Sequence, residues 1–300
     1  MPNSVTVRVP ATSANLGSGY DCLGLALDIT ADVTISLEHA RPADGHSLAP
    51  MVAASARAAY RAARQPEPAE LSVVWNGASA GSANDIPIAR GLGASAAARA
   101  AGLVGANALM DEPLSSDELL ALGAELEGHV DNIARALFGG LQVTVRDEED
   151  WHRLSVPLPE ALRIVLLIPD FEMPTRETRS RLPRGLPMED AVFNIGRAAL
   201  LVAALAQGEW DLLDTATDDR LHQPARAEIF TALYEIIDAA KEAGAHGAYL
   251  SGGGSTIAAF ATENEERIAR LMLQAALAHG YSGRTVITQP GAAGAMVVRS

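Results

Sequence analysis

The chain has one cysteine, Cys22, few aromatic residues (4%), and 23 lysines and arginines against 37 aspartates and glutamates in 300 residues. A single thiol excludes an intrachain disulfide and any cysteine-based metal cluster, and a cytoplasmic setting is expected. The formal charge of −14 argues against a nucleic acid or an anionic membrane surface as partner, since an acidic surface repels both. Long apolar runs are missing too. The longest, Ala198 to Ala206, falls far short of the roughly 20 residues needed to cross a bilayer. The start, Met1-Pro2-Asn3-Ser4-Val5-Thr6-Val7-Arg8, has no basic stretch followed by an apolar core, so no secretory signal is expected. Gly-x4-Gly-Lys-Ser/Thr does not occur, which removes the P-loop nucleotidases.

What remains is a globular chain, 48% apolar and 20% charged, long enough for two domains. Its organising stretch is Pro87-Ile88-Ala89-Arg90-Gly91-Leu92-Gly93-Ala94-Ser95-Ala96-Ala97. Two glycines precede an alanine-rich run to Met110 that reads as a helix. Unpaired amides and the dipole at such a helix start form an anion site that needs no lysine. A tight loop before a packing helix explains the residues equally well. The fit to the dinucleotide pattern Gly-x-Gly-x-x-Ala fails on context. The strand expected over Leu71 to Trp75 is separated from Gly91 by the loop-rich Gly77 to Asp85.

Other stretches read as follows. Val5 to Val9 alternates as a strand that stops at Pro10, before the polar, glycine-pinned Ala11-Thr12-Ser13-Ala14-Asn15-Leu16-Gly17-Ser18-Gly19-Tyr20-Asp21. That loop either presents Asn15 and Asp21 to a small ligand or satisfies its own backbone through Asx turns. Helices are expected over Leu48 to Arg64, Asp117 to Glu127, Glu189 to Leu205, Glu209 to Thr217 and Asn264 to Ala278. His46 reads as a solvated loop residue. The cluster Glu125-Leu126-Glu127-Gly128-His129-Val130-Asp131-Asn132 lacks the second histidine of a zinc site and reads as a helix end with a new N-cap at Asp131. Arg163 to Pro169 is a buried-type strand, and Gly247 to Phe260 reads as two strands around a triglycine turn. Strands over Arg284 to Thr288 and Ala295 to Val298 are expected to close a second domain.

The glycine stretch resembles the second motif of the GHMP kinases, Pro-x3-Gly-Leu-Gly-Ser-Ser-Ala-Ala, with Ala94 in place of the first serine. The loop from Pro10 to Gly24 is similar to the N-terminal signature of the homoserine kinases within that family. Further resemblances are Glu125 to Gly140 (Val130 for a usual proline), Thr175 to Pro183, Asp219 to Arg226 (Gln223 for a usual glutamate), and Ser251-Gly252-Gly253-Gly254-Ser255-Thr256 (Ser255 for a proline). Where these kinases commonly carry an asparagine near the adenine, this chain has Ser47.

The resemblance implies an α+β, two-domain GHMP kinase fold: a ribosomal-protein-like N-terminal domain over 1–155 and a ferredoxin-like C-terminal domain over 156–300. It also implies ATP and Mg²⁺ as cofactors and L-homoserine as the substrate, phosphorylated on its side-chain hydroxyl toward threonine. Pro87 to Ala97 would cradle the phosphates, and Ser95 and Glu125 would hold the metal, with Glu127 the weaker candidate. Asn15, Asp21, His129 and Asn132 would meet the amino acid. Arg179 and Arg226 would clamp its carboxylate, with Thr175 near the reacting hydroxyl. Asn132 cannot take up a proton at neutral pH, so catalysis by alignment and charge neutralisation is expected. A kinase of another small alcohol, or a non-catalytic ligand-binding relative, is the alternative, and a homodimer stays open.

Overall fold

The computed structural model describes residues 2–38, 46–78, 85–128, 130, 132–148 and 150–299, without the side chains of residues 175 and 176. Two antiparallel sheets organise the chain. The first begins with β1 (Ser4–Ala14) and β2 (Leu23–Ser36), whose apolar residues alternate toward one face. Next come helix α1 (Ala49–Ala62), β3 (Ser72–Ala78), and helices α2 (Ala94–Leu109), α3 (Ser116–Glu127) and α4 (Ile133–Phe138). The hairpin β4 (Leu141–Asp147) and β5 (Asp150–Val156) follows. Strand β2 is long enough to pair with β4 through residues 23–25 and with β3 through residues 31–36.

β1 does not stop at Pro10 as its sequence suggests. It continues to Ala14, with a register shift between Pro10 and Thr12. A proline has no N–H for the ladder, and the irregularity falls where that donor is missing. The continuation carries the strand straight to the loop at Asn15.

Helix α2 is buried on almost every side because its alanines let it settle against β1, α1 and α3 together. Leu103, fully buried beside Ala56 and Ala59, is a core anchor whose truncation to alanine costs about 2–5 kcal/mol. Helix α3 opens with a capping box, in which Ser115 and Glu118 satisfy each other's backbone amides.

The second sheet has the order β7-β8-β6-β9. It is formed by β6 (Arg163–Pro169), β7 (Gly247–Leu250), β8 (Ile257–Ala261) and β9 (Gly283–Thr288). Helices α5 (Thr175–Ser180), α6 (Met188–Gln207), α7 (Leu213–Thr217), α8 (Gln223–Ala227) and α9 (Leu233–Glu242) lie between β6 and β7, and α10 (Glu265–Ala278) lies between β8 and β9. This is the β-α-β-β-α-β order of a ferredoxin-like sheet. The expected helix over Glu209 to Thr217 is split by a 3₁₀ turn at Trp210–Leu212.

The last strand departs from the expectation that it closes the second domain. β10 (Met296–Arg299) does not close the second sheet but returns to pair with β1 in the first. A core running from Val5 and Val7 through Leu92 to Ile164, Tyr249 and Phe260 spans both sheets. No described helix is long and apolar enough to cross a membrane.

Candidate active site

Three loops of the first sheet meet α5, α8 and the turn between β7 and β8. The first loop follows β1. Asn15, Leu16 and Gly17 are all left-handed, at φ 70°, 51° and 84°, and Asp21 is left-handed at 57°. For the non-glycine residues this costs of order 1 kcal/mol each. Side-chain bonds hold it. Asn15 accepts the Asp21 N–H on Oδ1 at 3.1 Å and donates from Nδ2 to the Gly252 carbonyl at 3.1 Å. Asn15 therefore braces this loop against the glycine turn, as well as lining the cavity described below.

The second loop precedes α2. Gly93 is the N-cap, with φ 68°, and neither a side-chain cap nor an acidic residue covers the first turn. The amides and the positive end of the dipole at Ala94, Ser95 and Ala96 remain for an anion. Glycine is required here by proximity: a Cβ on Gly93 would stand 1.9 Å from Thr12 Oγ1, and one on Gly91 would stand 2.2 Å from the Ser251 carbonyl. Ser251 Oγ donates to the Gly91 carbonyl at 2.7 Å. It can then only accept from Ser13 (2.8 Å), which in turn accepts from the Tyr249 hydroxyl (3.2 Å). Burial raises the Tyr249 pKa, which keeps that hydroxyl a donor. Arg90 turns away from the anion site. Its Nε donates to the Pro169 carbonyl at 2.8 Å and its Nη2 to that of Asp170, tying the loop to the end of β6.

The third loop joins α3 to α4, and the end of α3 brings Glu127 rather than Glu125 to Ser95. Glu125 is exposed on the outer side of α3, beside Glu118, Ala121 and Trp151. Glu127 is the residue that meets Ser95, its Oε1 accepting from Ser95 Oγ and its Oε2 pairing with Arg99 Nε. Two residues along a helix is about 200° of rotation, so the two glutamates cannot share a face. Ser95 and Glu127 are hard oxygen donors of the kind that bind Mg²⁺ together with phosphate. Among the described residues, no group of three His, Cys, Asp or Glu forms a metal cage. Asn132 accepts from Thr12 on Oδ1 at 2.7 Å. His129, Asp131 and the side chain of Thr175 lie outside the described residues.

Asp21, Arg179 and Arg226 converge from the first loop, α5 and α8. Arg179 donates to Asp21 Oδ2 and Oδ1 at 2.9 and 2.5 Å, and to the Tyr20 hydroxyl at 3.0 Å. Arg226, 1% exposed, donates from Nη1 to the Gly252 carbonyl at 2.8 Å and to His222 Nδ1 at 2.6 Å. Its Nε is buried and finds no partner among the described residues. Burial pulls the Arg226 pKa below its ordinary value, and Tyr20 and Asp219 oppose the fall. A buried guanidinium that lines a cavity is chemically suited to an anion there.

A cavity of about 240 Å³ joins these parts. It is lined by apolar Leu48, Met51 and Ile88, by the loop Gly91 to Ser95, by Glu127 and Asn132, and by Asn15, Arg179 and Arg226. Ser47 is exposed. His46 is not the solvated residue its sequence suggests. It is half-buried and stacks on Trp75 at 4.8 Å and 3°.

Comparison with known proteins gives the family. Residues 51–140 match the GHMP kinases N terminal domain and residues 201–279 the GHMP kinases C terminal domain. A homoserine kinase of Moorella thermoacetica is 39% identical over 97% of this chain and 99% of its own. The chain belongs to the homoserine kinases of the GHMP family. Another homoserine kinase, from Carboxydothermus hydrogenoformans, is 37% identical over 97% of this chain and 96% of its own. The crystal structure of the homoserine kinase from Cytophaga hutchinsonii superposes with a TM-score of 0.85 at 25% identity, covering 99% of this chain and 98% of that one. A mevalonate diphosphate decarboxylase from Enterococcus faecalis, at 14% identity and a TM-score of 0.67 over 99% of both chains, shares the fold.

Relative to this homoserine kinase framework, sequence reasoning passed over His222, Tyr20 and Arg135. Arg135 is fully buried and ties the third loop to the sheet, donating to the carbonyls of Val130, Cys22 and Gln142. The order Asp219 to Pro224 carried one legible signal, a helix start with proline in its first turn. Asp219 accepts the backbone N–H groups of Leu221, His222 and Gln223 there.

Proposed function

We propose that this cavity holds ATP and L-homoserine side by side and transfers the γ-phosphoryl group to the homoserine side-chain hydroxyl, giving O-phospho-L-homoserine for threonine synthesis. The observation that carries the reading is the meeting of the anion-binding loop Gly91 to Ser95 with Arg179 and Arg226 in one cavity, beside Asp21 on Arg179. An amino acid supplies one carboxylate and one ammonium group. Arg226 and Arg179 suit the first and Asp21 the second, so a bound zwitterion leaves the charge balance of the site unchanged.

The amides of Ala94, Ser95 and Ala96 cradle the nucleotide phosphates. Leu48, Met51 and Ile88 offer the base an apolar wall. Ser95 and Glu127 are the residues that would hold Mg²⁺, whose charge would offset that of the β- and γ-phosphates. Glu127 is the one carboxylate among the described residues lining the cavity, and it already serves Ser95 and Arg99. The acceptor hydroxyl therefore meets no dedicated base among them. Catalysis rests on alignment by Asn132 and the arginines and on charge neutralisation, which a loose phosphoryl-transfer transition state permits. A cytoplasmic setting, where ATP and free amino acids meet, fits this reading.

The test is ADP release by purified protein with Mg-ATP and L-homoserine, L-serine, L-threonine, mevalonate, galactose or no acceptor. Turnover confined to homoserine is expected. Turnover with another alcohol alone would discard the assignments of Asp21, Arg179 and Arg226 while keeping the phosphate loop.

A further inference from the structure

His222 lies immediately before α8 and is completely buried. Its Nδ1 is 2.6 Å from Arg226 Nη1, and its Nε2 is 2.8 Å from the Gly17 carbonyl. A guanidinium can only donate and a carbonyl can only accept. One form of the imidazole satisfies both: neutral, with the proton on Nε2 and the lone pair of Nδ1 facing Arg226. Any other form turns an N–H toward the arginine or a lone pair toward the carbonyl.

We infer that His222 is a positioning residue for substrate: it fixes the rotamer of Arg226 through Nδ1 and locks α8 to the Gly17 loop through Nε2. The inference rests on the reading of Arg226 as the carboxylate clamp. With Nη1 spent on His222 and Gly252, the guanidinium plane is fixed where Arg226 lines the cavity. A long side chain fixed in advance loses less entropy on binding. The Gly17 end matters because that loop carries Asn15 and Asp21, so the imidazole sets the distance between the two ends of the amino-acid site.

The charged surroundings favour the required form. Asp219, beneath the ring with an oxygen 3.7 Å from Nε2, has its carboxylate occupied by the amides at the start of α8 and by Asn194. Tyr20 packs at 5.3 Å between ring centroids. Burial is the largest influence on the ring, lowering its pKa to about 4. Asp219 and Asp21 act against that fall, and Arg226 adds to it. Arg179, the other nearby cation, is paired with Asp21.

Three substitutions separate the two nitrogens. His222→Asn keeps a polar acceptor near the Nδ1 position, His222→Gln keeps a donor near Nε2 alone, and His222→Leu keeps neither. In steady-state assays at pH 7.5, the Leu and Gln variants should raise the homoserine KM about tenfold or more. Their kcat should stay within about threefold and the ATP KM unchanged, because an interaction made equally in ground and transition states is lost. His222→Asn should recover most of the loss. In an Arg226→Ala background, His222→Leu should add less than about twofold, since a residue acting through Arg226 has nothing left to position. Circular dichroism and melting curves confirm that each variant is folded.

An unchanged homoserine KM in folded His222→Leu would overturn the inference. Effects that multiply in the double variant, or an Asn variant no better than Leu, would do the same. If Arg226→Ala by itself leaves the homoserine KM unchanged, the inference also falls, and the fault then lies with the clamp assignment.

Discussion

Arg179 on α5 grips Asp21 on the loop after β1 with two parallel hydrogen bonds, at 2.9 and 2.5 Å, across 158 residues of sequence. The two groups expected to bind opposite ends of an amino acid thus bind each other. An incoming zwitterion can exchange with this pair, its ammonium group replacing Arg179 on Asp21 and its carboxylate replacing Asp21 on Arg179. Asp21→Asn should therefore raise the homoserine KM by about 10- to 100-fold, the cost of one charge-assisted hydrogen bond, with the ATP KM unaffected. Equal losses for both substrates would show that the loop supports the whole site rather than the amino acid.

The two glutamates of α3 make a sharper contrast. Glu127→Gln should lower kcat by about 100-fold or more and raise the Mg²⁺ concentration needed for half-maximal rate, because Ser95 loses its charged partner. Glu125→Gln should stay within about twofold of wild type. A Mg²⁺ titration of both variants decides the matter, and a strong defect in the Glu125 variant alone would return the metal to that position.

Gly93→Ala puts a methyl group 1.9 Å from Thr12 Oγ1 at a φ of 68°. A loss of about 1–3 kcal/mol in stability is expected from the strain, together with weakened nucleotide affinity as the amides of α2 shift. Thermal melts with and without ATP measure both. Wild-type ATP affinity in this variant would mean that the phosphates sit elsewhere.

The burial of His222 also has a pH signature. Its folded pKa of about 4 lies below the ordinary value near 6.5, so between those limits the unfolded chain binds a proton that the folded chain refuses. Stability is then full above about pH 6.5 and falls as the pH drops toward 4, by about 2 kcal/mol at pH 5 from this group. Urea denaturation at pH 7.5, 6 and 5 should show a steeper decline for wild type than for His222→Asn. Parallel curves would indicate that the ring takes up its proton as readily in the fold as in the unfolded chain.

Local signals in the sequence went a long way toward the fold. The alternation in β1, the alanine run of α2 behind Gly91 and Gly93, the capping residues of α3 and the triglycine turn after β7 are each written within a few neighbouring residues. The structure places them as read. Arg179, Arg226 and the glycine loop could be singled out because their motifs stand in family order along the chain. Which of the two glutamates meets Ser95 was not legible, because it depends on the face of α3 that packs against α2.

The sequence by itself determined many of the elements, the uncapped glycine start of α2 and the chemical types available to the site, because these follow from hydrogen bonding and sterics between near neighbours. Only the tertiary structure decided the rest. It sent β10 back to β1, turned Glu127 rather than Glu125 toward Ser95, joined Asp21 to Arg179 and set His222 behind Arg226. Each of these is a contact between residues brought together by burying a shared core, and no spacing along the chain records which side chains that burial will turn toward one another.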